Sequence, residues 1–278
     1  MKIRSFLPLL TYPDAHSEAS IRNAAALAGL VSAELHVVAL EADVPPVTSA
    51  LSRVLMNLPE LIRNAETLSA QAGAKLMDLA RGKAEASGLP VTARTLKAAP
   101  ALLGEAAASE ARYFDLALVG WSSGIPGIQM LAEAMVFGSG RPTILVPEGA
   151  EANGINRIAI AWDGSRVAAR ALADATRLLE RAREVHVVTV TDEKPLQDED
   201  AGARLAEGLR QAGVKASFLP IRAEDCPIAE TLQRHALELD AQLLIMGGYG
   251  HSRLRDFVLG GATAGVLRDL RMPVLLSH

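Results

Sequence analysis

The residues of this chain best suited to chemistry lie in one glycine-bearing stretch, Gly247-Gly-Tyr-Gly250-His-Ser-Arg-Leu-Arg-Asp-Phe-Val-Leu-Gly260-Gly-Ala-Thr263. Two residues separate Gly247 from Gly250, and nine separate Gly250 from Gly260. Glycine lacks the Cβ that would hold a ligand off the backbone, so successive N–H groups at a strand exit can approach a phosphate closely. Gly260 and Gly261 stand directly before a predicted helix, Ala262–Leu270, whose free N–H groups and dipole favour anions. His251, Arg253 and Arg255 add positive charge to the same loop. The glycines equally suit a tight turn at a strand end and a helix start, so the loop alone leaves a phosphate cradle and a plain turn both open. Asp163, in Asp163-Gly-Ser165 after a predicted strand, is similarly either a ligand-facing carboxylate or part of a turn and helix N-cap.

Catalysis needs an acid, base or nucleophile held against such a cradle. His251, Ser252 and Asp256 are close in sequence but show no base–nucleophile spacing, and read as solvated loop residues. The chain has no Gly-x-Ser-x-Gly, no His-Glu-x-x-His and no Walker A sequence. A dinucleotide-binding oxidoreductase would carry Gly-x-Gly-x-x-Gly after its first strand, where this chain has Thr11-Tyr-Pro-Asp14 and Trp162-Asp-Gly-Ser165. His36 and His186 occur once in each half without converging metal ligands, and read as hydrogen-bonded histidines near strand ends. Trp121 and Trp162 fall at strand exits and read as packing residues of a sheet end.

These residues are positioned by a duplicated set of elements. Leu35-His36-Val37-Val38 returns as Val185-His186-Val187-Val188, Asp115–Gly120 returns as Gln242–Gly247, and Arg141–Val146 resembles Arg271–Leu276, always in the same order. The first copy carries extra residues at about 45–62, where Leu51, Val54, Leu55, Leu58 and Leu61 have the spacing of a short amphipathic helix for core or interface. The segment Glu148–Gly154 reads as a linker, which sets domains of 1–149 and 150–278. In the second half, predicted strands at 158–162, 185–190, 216–219, 243–246 and 274–276 alternate with helical patterns, the first being one apolar face from Ala168 to Ala182. The strands are apolar runs without alternation, as expected when helices cover both faces. The fold class is therefore α/β, with two tandem doubly wound parallel five-stranded sheets, Rossmann-like and flanked by helices.

Charge and composition narrow the function. Of the 278 residues, half are apolar, and 28 basic side chains oppose 32 acidic ones, which excludes a disordered chain and gives no global positive field for nucleic acid or anionic lipid. No apolar run reaches the roughly 20 residues of a membrane span. The N-terminal apolar run Phe6–Leu10 is too short for a signal peptide. The single cysteine, Cys226, cannot form an internal disulfide. Together these predict a cytoplasmic protein whose partner is a small molecule rather than nucleic acid or membrane.

The Gly-x2-Gly-x9-Gly loop between a Leu-Leu-Ile-Met strand and the helix before Arg271-Met-Pro-Val-Leu-Leu276, with Asp163 after the first strand, resembles the universal stress protein family. The chain looks like a tandem member, the second half resembling the family from about residue 156 to 278 and the first half more weakly from about 2 to 147. The resemblance implies an adenine nucleotide, ATP or AMP, with or without magnesium, and at most slow hydrolysis. It places Asp163 at the ribose or adenine, Val190 and Met246 along the adenine, Gly247, Gly250, Gly260 and Gly261 at the phosphates, and Ala262 and Thr263 at the helix start beneath them. It also implies intrachain pairing of the two domains, or a homodimer. One departure matters: the family places Ser or Thr after the last glycine, and this chain has Gly261. In the first half the loop Gly120-Trp-Ser-Ser-Gly124 has Ala134 where the next glycine belongs, Gly138-Ser-Gly140 reads as a helix end, and Asp14 is the nearest counterpart of Asp163. The first half is therefore expected to have lost the nucleotide site. The rival function is a nucleotide-free interaction scaffold.

Overall fold

The computed structural model describes residues 2–45, 58–150, 154–193, 198–223, 225–248 and 261–278. The chain divides into two compact units, Met1–Ser139 and Gly140–His278. The first runs β1 (Arg4–Leu10), α1 (Glu18–Leu30), β2 (Glu34–Ala42), α2 (Leu58–Ala86), β3 (Val91–Ala98), a 3-10 turn (Pro100–Leu102), α3 (Leu103–Ala111), β4 (Leu116–Trp121) and α4 (Pro126–Gly138). Its strands lie in the order β3-β2-β1-β4, all parallel.

The second unit runs β5 (Thr143–Pro147), β6 (Arg157–Ala161), α5 (Arg166–Asp174), α6 (Thr176–Leu179), β7 (Glu184–Val190), α7 (Ala201–Gln211), β8 (Ala216–Ile221), α8 (Ile228–Glu238), β9 (Leu243–Gly247), α9 (Ala262–Arg268) and β10 (Val274–Ser277). Five parallel strands follow the order β8-β7-β6-β9-β10. Strand β5 adds to them antiparallel to β10, Leu145 opposite Val274 and Thr143 opposite Leu276. This pairing places β5 with the second unit, so the line between units falls ten residues before the expected boundary between residues 149 and 150.

The central strands are apolar on both faces because helices cover both: β4 is buried throughout, and Leu243–Met246 of β9 are buried. Ser17 and Ser165 open α1 and α5, their hydroxyls accepting from the N–H groups of Ser20 and Ala168. The helix expected to carry the apolar face from Ala168 to Ala182 is not continuous. It breaks at Ala175 into α5 and α6 and ends at Leu179, with Thr176 Oγ1 donating to the Ala173 carbonyl at 2.8 Å in competition with the regular ladder. Gly138-Ser139-Gly140 does end a helix, with Ser139 as C-cap and Gly140 at φ +67. Of the amphipathic segment expected near 45–62, residues 46–57 lie outside the described residues, and Leu58 and Leu61 open the 29-residue helix α2, with Leu61 exposed.

Candidate functional site

In an open parallel sheet the ligand crevice lies outside the carboxyl ends of the strands where the strand order reverses, which in the second unit is between β6 and β9. Asp163 sits two residues beyond β6, and its Oδ1 accepts from Ser165 N at 3.0 Å, an Asx turn that leads into the Ser165 cap. Gly164 between them has φ +74, a conformation that only glycine adopts without strain. Trp162 is anchored through its backbone to β7: its N–H donates to Val188 O and its carbonyl accepts from Thr189 Oγ1. The Trp162 indole N–H is buried and makes no hydrogen bond among the described residues.

Val190 ends β7, half-buried, and Met246 is buried within β9. Gly247 closes β9 against the first turn of α5: a Cβ there would lie 2.7 Å from the Val167 carbonyl carbon and 2.8 Å from Ala168 N. Close packing thus accounts for the glycine independently of any ligand. Gly261 is the N-cap of α9 at φ +99, with Ala262 and Thr263 as the first helical residues. Thr263 is buried, with its hydroxyl 3.4 Å from the Gly247 carbonyl, which ties the helix start back to the strand it follows. Gly248 is held by Ser277 O at 2.7 Å and by His278 Nδ1 at 2.8 Å. Asp163, Val190, Met246, Gly247 and the Gly261–Thr263 turn therefore belong to the carboxyl end of one sheet. Gly250 and Gly260, with His251, Ser252, Arg253, Arg255 and Asp256, lie outside the described residues.

The corresponding end of the first unit is filled by its own side chains. Thr11 Oγ1 donates to the Leu40 carbonyl at 2.6 Å and lies 2.6 Å from Ser69 Oγ of α2, which also takes the Ala42 N–H at 2.9 Å. Glu66 of the same helix accepts from Val44 N. Helix α2 can lie this close because Gly73 faces Ala39 and Thr11; a Cβ there would meet Ala39 Cβ at 3.1 Å. Sheet register makes Leu10, not Asp14, the equivalent of Asp163: Ser5 pairs with Leu116, and Ile158 with Leu243. Asp14 stands four residues further on and is exposed. His16, 4% exposed, instead folds back, its Nδ1 accepting from Leu10 N at 2.7 Å, and burial lowers its pKa to about 4. Sequence reasoning missed Thr11, His16 and Ser69. The one signal for them was the small-residue spacing of Ser69, Gly73, Ala80 and Ala84 on α2. Ser69→Ala is expected to cost about 1–2 kcal/mol of first-unit stability, since it strands the Ala42 N–H, and urea titration checks it.

The two histidines hold the matching positions expected of them. His36 Nδ1 lies 2.8 Å from Thr92 Oγ1 and His186 Nδ1 lies 2.8 Å from Ser217 Oγ. Burial lowers both pKa values.

Comparison with known proteins agrees with this architecture. The fold over almost the whole chain is shared with a universal stress protein from Archaeoglobus fulgidus DSM 4304, at a TM-score of 0.70 and 16% identity, covering 98% of this chain and 97% of that one. A protein of unknown function from Pseudomonas aeruginosa PAO1 shares it at a TM-score of 0.56 and 18% identity, covering 99% and 92%. Over 143 residues the sequence is 34% identical to universal stress protein Slr1230 of Synechocystis sp., a match covering 49% of this chain and 46% of that protein. The chain thus spans about half the length of that relative. Residues 154–278 match the universal stress protein family. The match to the family thus falls within the second unit, and the fold is the Rossmann-like α/β fold seen in such proteins.

Proposed function

We propose that the second domain, residues 150–278, binds an adenine nucleotide, ATP or AMP, and that the chain acts in stress response or signalling, with the first domain, residues 1–149, as its degenerate partner. The observation that carries this reading is the assembly of Asp163, Val190, Met246, Gly247 and the Gly261–Thr263 turn at the switch point of one parallel sheet, inside the segment that matches the family. In the proposed complex Val190 and Met246 line the adenine, Asp163 takes the ribose or adenine edge, and backbone N–H groups of Gly250, Gly260 and Gly261 hold phosphate. Magnesium is proposed only as a companion of the phosphates; among the described residues no cluster of three His, Cys, Asp or Glu side chains forms a metal site. No helix among the described residues is long and apolar enough to cross a membrane.

The second reading, a nucleotide-free interaction scaffold, is favoured by one feature of the same turn. Gly261 offers no hydroxyl to a terminal phosphate, and the Thr263 hydroxyl faces the Gly247 carbonyl. Denaturing the purified protein and identifying released nucleotide by chromatography and mass spectrometry, then titrating ATP, ADP and AMP into the emptied protein, separates the two. Stoichiometric adenine nucleotide at about one per chain supports the site; no carried nucleotide and no saturable binding leaves the scaffold. Gly250→Val is expected to abolish binding in a protein that keeps its wild-type circular dichroism, because a β-branched side chain excludes the phosphate from the backbone. Unchanged affinity in that variant removes the phosphate cradle.

A further inference from the structure

The outer strand of a sheet presents a row of unpaired backbone groups, a template for another strand unless the chain blocks it. The two units treat that row differently. In the second unit the outer strand is β8, and the bonds from Val185 N to Lys215 O and from Thr191 N to Ile221 O turn its odd-numbered residues toward β7. The outward groups are therefore those of Ala216, Phe218 and Pro220. Pro220 has no N–H to offer, and the Ala216 carbonyl already accepts from Arg210 Nη1 at 3.0 Å. That edge is closed by its own sequence.

In the first unit the outer strand is β3, eight residues long against six for β8. The bonds from Leu35 N to Pro90 O and from Asp43 N to Ala98 O turn its even-numbered residues toward β2, so the N–H and C=O groups of Val91, Ala93, Thr95 and Lys97 point outward. None of these has a backbone partner among the described residues. Thr95 pairs with Ala39 as Pro220 pairs with Thr189, and Val91 pairs with Leu35 as Ala216 pairs with Val185, so both blocks of the second unit are missing here. The faces of the strand are open too: no residue of β3 is buried, whereas Val37–Ala42 of β2 beside it all are. Its two cations are matched inside the unit, Arg94 by Glu110 of α3 and Lys97 by Glu41 of β2 at 3.9 Å. The remaining outer strands, β4 and β5, are buried throughout.

We propose that β3 is a self-association edge, through which two copies of this chain join antiparallel about a two-fold axis at Arg94. In that register Val91 faces Lys97 of the second copy and Ala93 faces its Thr95, and each facing pair exchanges both of its bonds, so every outward N–H and C=O of the strand is satisfied. No other two-fold register uses all four residues. Arg94 meets the Arg94 of the second copy on the axis, and the two Glu110 carboxylates stand beside them, so that opposite charges alternate across the join. A second copy fits better than an unrelated strand because the edge complements itself in bonds and in charge. With β8 blocked, the pairing stops at two copies instead of running on into a fibre. The surface lies in the first unit and does not depend on nucleotide binding in the second.

The test is sedimentation equilibrium of the full-length protein from micromolar to millimolar concentration, where a reversible dimer is expected. Thr95→Pro copies the block of the second unit at an N–H that β2 does not use, so the wild-type circular dichroism is kept while the dimer weakens at least about tenfold, the two-fold axis removing two hydrogen bonds at once. Cysteine reads the register independently of that variant. In a Cys226→Ser background, Arg94→Cys sets two thiols opposite each other at a non-hydrogen-bonded pair, whose Cα separation suits a disulfide, and mild oxidation is expected to give a covalent dimer. Leu96→Cys lies opposite Thr92 of the second copy and is expected to stay uncrosslinked. A monomer over the whole range, a folded Thr95→Pro that dimerises as tightly as wild type, or crosslinking of Leu96→Cys as readily as of Arg94→Cys overturns the proposal.

Discussion

Gly247→Val is expected to destabilise the second unit by about 3 kcal/mol or more, as overpacking against an unyielding neighbour does. The atoms it would meet are backbone, the Val167 carbonyl carbon at 2.7 Å and Ala168 N at 2.8 Å, and these belong to the capped first turn of α5, which cannot withdraw without opening the Ser165 cap. The first unit supplies the control. Gly120 is the equivalent position on β4, and its added Cβ would meet Ser20 Oγ at 2.7 Å and Ile21 Cδ1 at 3.2 Å, atoms that can rotate away, and the fixed Ser20 Cβ only at 3.0 Å, a milder approach than the backbone contacts at Gly247. The same substitution should therefore cost less at Gly120 than at Gly247. Each unit has one tryptophan, Trp121 or Trp162, so Trp162→Phe and Trp121→Phe backgrounds let urea titrations followed by fluorescence read each unit separately. Equal costs at the two glycines would show that the backbone contact at Gly247 does not govern its packing. The result also bears on function: because packing alone demands Gly247, loss of nucleotide binding in a Gly247 variant says nothing about phosphate, whereas a Gly250 variant does.

The alternation of apolar runs and helical faces made the α/β class and the order of strands legible, because both report burial, which sequence pattern encodes directly. The duplicated His36 and His186 were also readable as structural, and each finds a hydroxyl on the next strand. What the pattern could not show was contact between residues far apart in the chain. Ser69 looks like any polar residue of a 29-residue helix until Thr11 and Ala42 are seen to converge on it. The break at Ala175 was hidden because α5 and α6 keep the same apolar face across it, with Ala171, Ala175 and Leu178 all buried. The transfer of β5 to the second unit depends on hydrogen bonds to β10, 129 residues further along the chain for the pair Leu145 and Val274, and the strand's own sequence is that of any buried strand. At the site, the sequence left Asp163-Gly-Ser165 open between a ligand-facing carboxylate and a turn with a helix cap; the turn and the cap are both present, and they are compatible with a second role for the same carboxylate.

His16 should make the first unit acid-sensitive in a window that carboxylates do not cover. Its Nδ1 accepts the Leu10 N–H, so the bound ring must be neutral, and burial disfavours the charged form further. The Gly120 carbonyl pulls the other way and offsets only part of this. With a folded pKa of about 4 against 6.5 for the free side chain, the unfolded chain binds the extra proton first as the pH falls. The contribution of His16 is therefore complete above about pH 6.5, is lost progressively between there and pH 4, and changes no further below; its full size is on the order of 3 kcal/mol. Neighbouring Lys75, Lys215 and Arg210 hold the carboxyls of Glu18, Glu184 and Glu207 below their usual range, which moves their titration away from this window, so a loss of stability already evident between about pH 6.5 and 5 belongs to the histidines. His36, half-buried, shifts in the same direction and adds to it. Asparagine tests the assignment, because its Oδ1 can accept from Leu10 N as Nδ1 does without taking up a proton. In the Trp162→Phe background, the urea midpoint of the first unit should fall steeply over this range, and adding His16→Asn should flatten most of that fall while leaving the neutral-pH midpoint within about 1 kcal/mol of its parent. An unchanged pH slope in His16→Asn would place the acid sensitivity elsewhere in the unit.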